Sequence, residues 1–171
     1  MRVLVVDDGA DIRFLIRTVL ALAGHQVEQA GGGAEALALL APDPTPAGLP
    51  SVVILDVQMP GMDGWDTLRA IRSNPRTAEV RVILCTVKGR PEDIALGWEL
   101  GCDGYLNKPF GIDELRDEVA TVAGRGREER LSVRESAFSE ARRRLGEPAE
   151  EAAGAAGPVL LDGARPEARA R

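Results

Sequence analysis

Short apolar runs alternate with amphipathic stretches along the first 124 residues, and each apolar run stops on polar or turn residues. Residues 2–6 (RVLVV) lack a polar face and end on Asp7-Asp8-Gly9, the pattern of a strand buried on both sides. Asp11 reads as the N-cap of a helix whose Ile12, Leu15, Ile16, Val19, Leu20 and Ala23 share one stripe, closed by Gly24. A weaker strand over 26–30 follows. Gly31, Gly32 and Gly33 then turn the chain into a short helix over 34–41 carrying Leu37, Leu39 and Leu40. Residues 42–50 (PDPTPAGLP) hold four prolines, which predict an exposed connector because neither a helix interior nor a central strand tolerates them.

Residues 52–55 (VVIL) lead straight into Asp56, and the following MPGMDG is too rich in Pro and Gly to extend a strand or a helix. Trp65, Leu68 and Ile71 mark a helix that ends near Ser73-Asn74-Pro75. A fourth strand over 81–85 (RVILC) stops at Thr86, and a helix over 91–100 has Pro at its first position and Gly101 at its end. A short fifth strand over 104–106 is terminated by Asn107-Lys108-Pro109, and a fifth helix over 112–122 is stopped by Gly124 and Gly126.

Five strands alternating with five helices imply crossover connections, and therefore a doubly wound α/β fold with a five-stranded parallel sheet. In the strand order 2-1-3-4-5 the ligand crevice lies outside the carboxyl ends of the strands, between strands one and three. The polar residues fit this order. Asp7 and Asp8 follow strand one, Asp56 strand three, Thr86 strand four and Lys108 strand five, while edge strand two supplies none.

Composition narrows the function. The chain of 171 residues carries a formal charge of −6, which argues against a nucleic-acid-binding body. Residues 1–124 hold 11 Lys/Arg against 18 Asp/Glu and the remaining 47 hold 10 against 9, so the acidity belongs to the first part. Cys85 and Cys102 have no CxxC spacing and no histidine partners, the usage of reduced cysteines in a cytoplasmic protein. Residues 2–6 begin at once after Met1, leaving no room for a secretory leader, and the most apolar helical stretch is interrupted by Arg17, so no membrane span is expected.

Three carboxylates converging on one crevice repel each other, and a divalent cation removes the repulsion. Mg²⁺ accepts one or two carboxylates together with waters and phosphate oxygens. Beside it Lys108 offers positive charge and Thr86 a hydroxyl donor to a phosphoryl group, and Asp56 is the candidate nucleophile.

Residues 1–124 resemble the receiver domain of two-component response regulators. The resemblance rests on VVDD at 5–8, ILDVQMPGMDG at 54–64, the strand-terminal Thr86 and YLNKPF at 105–110. It implies that Asp56 is the phosphoacceptor, and that Asp8, Asp56 and the main-chain carbonyl of Gln58 ligate Mg²⁺ with Asp7 acting through water. It implies that Lys108 and Thr86 hold the phosphoryl group and that Tyr105 is an aromatic switch following Thr86. It also implies a phosphohistidine donor on a sensor histidine kinase or phosphotransfer protein, since the single histidine, His25, sits in a turn. Gly9 stands where receivers usually carry a polar residue and is expected to loosen its loop. Val87 stands where a small residue is common and, with Gln58, is expected to slow hydrolysis of the acyl phosphate.

Residues 125–145 form a linker and a helix with Leu131, Phe138 and Leu145 at seven-residue spacing, which predicts a thin amphipathic stripe able to dock on the receiver or pair with a second copy. Arg134 interrupts that stripe. Residues 146–171 are dominated by Ala, Gly, Pro, Glu and Arg and are expected to be disordered. The resulting expectation is a cytoplasmic response regulator, a switch or phosphorelay intermediate whose partner or second copy binds the face of helix four, strand five and helix five. Three rivals stand beside it. One is a degenerate receiver used only for binding, and one is a transcription regulator acting through the tail. The third, an aspartate-nucleophile phosphatase, lacks its usual second acid because Gln58 occupies that place.

Overall fold

The computed structural model describes residues 1–41, 48–87 and 90–146. Five parallel strands, β1 (Arg2–Val6), β2 (Gln26–Ala30), β3 (Val52–Asp56), β4 (Arg81–Val87) and β5 (Gly104–Lys108), form one sheet in the order β2-β1-β3-β4-β5. The expected topology is the observed one.

Side chains alternate across each central strand, so the sheet divides its apolar residues between two layers. Leu4, Val6, Val53, Leu55, Val82 and Leu84 face one side. There they meet Ala36 of α2 (Gly33–Leu39), Leu68 and Ile71 of α3 (Gly64–Ser73) and Trp98 of α4 (Pro91–Glu99). Val3, Val5, Ile54, Ile83 and Leu106 face the other. They pack on Ile16 and Leu20 of α1 (Ala10–Leu22) and on Leu115, Val119 and Val122 of α5 (Ile112–Gly124). Burial of a side chain such as Leu55, which is fully buried, contributes roughly 2 kcal/mol.

Several local expectations are corrected. The N-cap of α1 is Gly9, not Asp11, which lies in the first turn where its charge still favours the helix dipole. Leu15, placed on the apolar stripe of α1, is exposed, and of the leucines at the end of α2 Leu39 is exposed while Leu40 is buried just past its last turn. β4 runs two residues beyond Cys85 and β5 two beyond Leu106, because Thr86 pairs with Asn107 and Val87 with Lys108 across the sheet. The N-cap of α3 is Asp63, whose side chain accepts from the Asp66 N–H at 2.8 Å.

After Gly124 and Gly126 the chain enters α6 (Arg127–Arg144), which packs on α4. Of the expected apolar stripe, Phe138 and Leu145 are half-buried beside α4 but Leu131 is 54% exposed, and the most buried positions are Arg130, at 6%, and Ala141, at 5%. The face turned inward follows Arg130, Arg134, Ala137 and Ala141, helical spacing carried by arginine and alanine. The expectations for residues 42–47 and for nearly all of the tail, 147–171, fall outside the described residues.

Candidate functional site

Register assembles the site. Val6 pairs with Leu55, so Asp7 leaves β1 alongside Asp56 at the end of β3, and Asp56 pairs with Cys85, which puts Thr86 one residue further along the neighbouring strand. Asp7, Asp8 and Asp56 each offer a carboxylate oxygen, and these oxygens lie within 4.8 Å of one another. Lys108 reaches back from the end of β5, placing its ammonium 2.7 Å from Asp7 Oδ2 and 2.8 Å from Asp56 Oδ2. Asp7 and Asp56 are buried, while Asp8 is open to water.

Charge and burial compete here. Burial raises the Asp56 carboxyl above the usual aspartate range, the Asp7 charge adds to the rise, and the Lys108 hydrogen bond and charge offset part of it. Burial works against the Lys108 ammonium too, but its hydrogen bonds to Asp56 and Asp7 prevail and hold its pKa above the ordinary lysine value. Lys108 therefore pairs with two of the three acids, Asp7 and Asp56. The surplus oxygens suit a hard divalent cation with carboxylate ligands, and the residues present fit Mg²⁺.

The backbone around the acids is held tightly. The Gly9 N–H donates to Asp7 Oδ1 at 2.8 Å, a main-chain bond that turns the Asp7 carboxylate toward the start of α1. Arg13, which pattern reading overlooks, donates from Nη1 to the carbonyls of Asp7 at 2.6 Å and Asp8 at 3.1 Å. Its only trace in the sequence is a cation one turn into α1, on the side of the acid pair. The Gln58 N–H donates to Asp56 Oδ1 at 3.3 Å. Gly64 lets α3 start against the end of β3, since a Cβ there would lie 2.3 Å from the Asp56 carbonyl oxygen.

Thr86 and Tyr105 lie outside this charged centre. The Thr86 hydroxyl donates to the Val87 carbonyl at 2.9 Å and does not reach Asp56. Val87 is 51% exposed and, with Gln58 and Thr86, lines an open cleft of about 400 Å³. The Tyr105 hydroxyl donates to the carbonyls of Asp93 and Ile94 in α4, at 3.2 Å each. Burial keeps Tyr105 protonated by raising its pKa, and it does the same for both cysteine thiols.

This arrangement of acids, lysine and strand-end threonine has relatives. The family model described as response regulator receiver domain matches residues 3–120. The chain belongs to the receiver domain family of response regulators. A protein of Guillardia theta named probable transcriptional regulator ycf27 is 39% identical over 72% of this chain and 46% of its own length. The transcriptional regulatory protein GltR of Pseudomonas aeruginosa is 37% identical over 72% and 49%. Among solved structures, the chemotaxis protein CheY4 of Vibrio cholerae superimposes with a TM-score of 0.65 at 33% identity, covering 71% of this chain and 97% of that one. The chain spans about half the length of the curated relatives it matches. Like other receivers it carries the acidic group, at Asp7, Asp8 and Asp56. Among the described residues no helix is long and apolar enough to cross a membrane.

Proposed function

We propose that this receiver accepts a phosphoryl group on Asp56 in a Mg²⁺-dependent reaction and acts as a cytoplasmic signalling switch or phosphorelay intermediate. The observation that carries the reading is the three-acid group with the Lys108 ammonium set between Asp7 and Asp56. Asp8, Asp56 and the Gln58 carbonyl would hold the ion, with Asp7 acting through water. The ion's chemistry is to neutralise the acids and the incoming phosphoryl oxygens.

The Asp56 carboxylate attacks phosphorus, the P–N bond to the donor histidine breaks with its electron pair going to the imidazole, and an acyl phosphate forms. Lys108 turns its ammonium to the phosphoryl oxygens, and Thr86 exchanges the Val87 carbonyl for one of them. The histidine comes from a sensor kinase or a phosphotransfer protein, because His25, the chain's one histidine, is a half-buried turn residue after α1. No external substrate is turned over. The signal leaves through Tyr105 to a downstream protein or a second copy on the face of α4, β5 and α5.

The test is to incubate the full chain with acetyl phosphate and Mg²⁺ and follow its mass. One phosphoryl adduct is expected, absent with EDTA and absent in Asp56→Asn. An unmodified wild type, or an Asp56→Asn variant that is modified as readily, overturns the proposal.

A further inference from the structure

Three successive carbonyls at the acid loop, those of Asp7, Asp8 and Gly9, accept from a single residue. Arg13 donates its main-chain N–H to the Gly9 carbonyl at 3.1 Å, which opens α1. Its side chain turns back over the same loop, and Nη1 donates to the Asp7 carbonyl at 2.6 Å and to the Asp8 carbonyl at 3.1 Å. The residue is half-buried, and its guanidinium lies beside Gly31, just past the end of β2, where an added Cβ would stand 3.8 Å from Nη1. Protein therefore flanks it on the side away from the acids.

Asp8 is the acid that such a contact would serve. The Asp7 carboxylate accepts from the Gly9 N–H and from Lys108, and the Asp56 carboxylate accepts from the Gln58 N–H and pairs with Lys108. Among the described residues no donor reaches the Asp8 carboxylate, which is open to water. Its direction is set by its own backbone. Peptide groups are planar, so the two planes that meet at a Cα fix where its Cβ points. Arg13 holds both planes at Asp8, since the Asp7 carbonyl belongs to the one before and the Asp8 carbonyl to the one after. The second plane is bonded at its other end as well, through the Gly9 N–H to Asp7 Oδ1.

We propose that Arg13 is a positioning residue for the divalent cation: by clamping the two peptide planes at Asp8 it keeps that carboxylate directed at Asp7 and Asp56 before an ion arrives. The proposal rests on the Mg²⁺-dependent function argued above, and Arg13 acts through Asp8 alone. Two effects of the arginine oppose each other. Its charge stands beside the acids and disfavours a second cation. Its hydrogen bonds order Asp8 in advance, which removes an ordering cost from binding. Partners that orient a metal ligand in this way are worth about 10–100-fold in affinity. The clamp outweighs the charge because it grips the carbonyls directly, whereas the charge acts across the water-exposed side of the site at Asp8 and is screened there. Loss of this arginine therefore weakens the binding of a cation although it removes a positive charge, an outcome opposite in sign to simple electrostatics.

The test is to titrate Mg²⁺ alone into the full chain by isothermal titration calorimetry, at a temperature where circular dichroism shows each variant folded. Arg13→Gln is expected to bind Mg²⁺ about tenfold more weakly than wild type, and the Mg²⁺ concentration for half-maximal adduct formation from acetyl phosphate should rise by the same factor. Arg17→Gln removes the same charge from an exposed position one turn further along α1 and is expected to stay within about twofold of wild type. An Arg13→Gln variant that binds Mg²⁺ as well as wild type, or better, overturns the positioning role and leaves the phosphoacceptor function standing. An Arg17→Gln variant weakened as much as Arg13→Gln overturns it too, and a wild type that binds no Mg²⁺ overturns both. Should Arg13→Gln fail to fold, Arg13→Lys is read in its place. It keeps the charge on a shorter side chain that cannot grip both carbonyls, so a severalfold loss of affinity supports the clamp and an unchanged affinity overturns it.

Discussion

At the carboxyl edge of the sheet three aspartates gather and two of them share one lysine, and at the amino edge one aspartate is shared by three arginines. The first group, Asp7, Asp8 and Asp56 around Lys108, keeps surplus negative charge and one acid in contact with water. The second, Asp103 with Arg72, Arg130 and Arg134, is closed off, with no exposed side-chain surface on Asp103. Burial opposes the Asp103 charge, but the Arg130 hydrogen bond, the Arg134 charge and the Val82 amide prevail and hold its carboxyl below the usual range. Burial, with Arg134 nearby, pushes the Arg72 guanidinium down to about 10, which leaves it charged at neutral pH. Both groups are ionic, yet they do different work. An under-neutralised, water-reachable cluster is prepared for a cation and an anionic reactant, whereas an over-neutralised, dry one ties a helix to the fold.

The largest expected effect lies in the dry cluster. Asp103→Ala leaves three arginines without their shared carboxylate and is expected to cost about 3–5 kcal/mol in urea unfolding, while the folded fraction still takes a phosphoryl group on Asp56. A cost under about 1 kcal/mol, the size of an exposed pair, would mean that the cluster contributes no more than a surface salt bridge. Its pH dependence has a definite sign. The folded pKa of Asp103 is depressed, so its stabilisation is complete above the unfolded value of about 3.9 and disappears as pH falls through the folded value. The stability gap between wild type and Asp103→Ala should therefore stay level from neutrality to mild acid and close only in stronger acid. A gap that closes near neutrality would mean that another group carries it.

At the wet cluster, Lys108→Met removes the cation from the reaction without emptying the acid site. Adduct formation from acetyl phosphate is expected to slow about a hundredfold, measured by quenched-flow mass spectrometry. An unchanged rate would make the lysine a structural partner of Asp7 and nothing more.

Two smaller effects are expected near β4, β5 and α4. Gly97→Ala forces the Tyr105 hydroxyl off α4 and is expected to cost about 1–3 kcal/mol, less the roughly 1 kcal/mol that alanine returns in helix propensity. Stabilisation in thermal unfolding would show that Tyr105 leaves α4 freely. Val87→Ala opens the cleft beside Gln58 and should shorten the acyl phosphate lifetime a few-fold, read from the decay of the adduct after acetyl phosphate is removed. An equal or longer lifetime would remove Val87 from water exclusion.

Much of the receiver was legible because its information is local. Apolar runs of four or five residues marked β1, β3 and β4, and each ended at a residue that the fold brings to the carboxyl edge. The errors fell where a competing force outweighed the pattern. β4 and β5 run past their apolar cores because backbone pairing continues through Thr86 and Lys108, and Gly9 took the cap from Asp11. Helix α6 departs further from its pattern: Phe138 and Leu145 of the apolar stripe do lie against α4, but Leu131 is exposed and Arg134, which interrupts the stripe in sequence, is one of the anchors.

By itself the sequence determined the five-stranded doubly wound topology and the identity of the residues at the strand ends, since hydrophobic period and turn chemistry act over a few residues at a time. Only the tertiary structure decided that the Lys108 ammonium sits between Asp7, 101 residues away, and Asp56. The same is true of the choice of Asp103 as the acid that holds Arg130, 27 residues further on. Ion pairs of that span have no period to betray them; they exist because packing first brings the charges together and then withdraws the water that would have kept them apart.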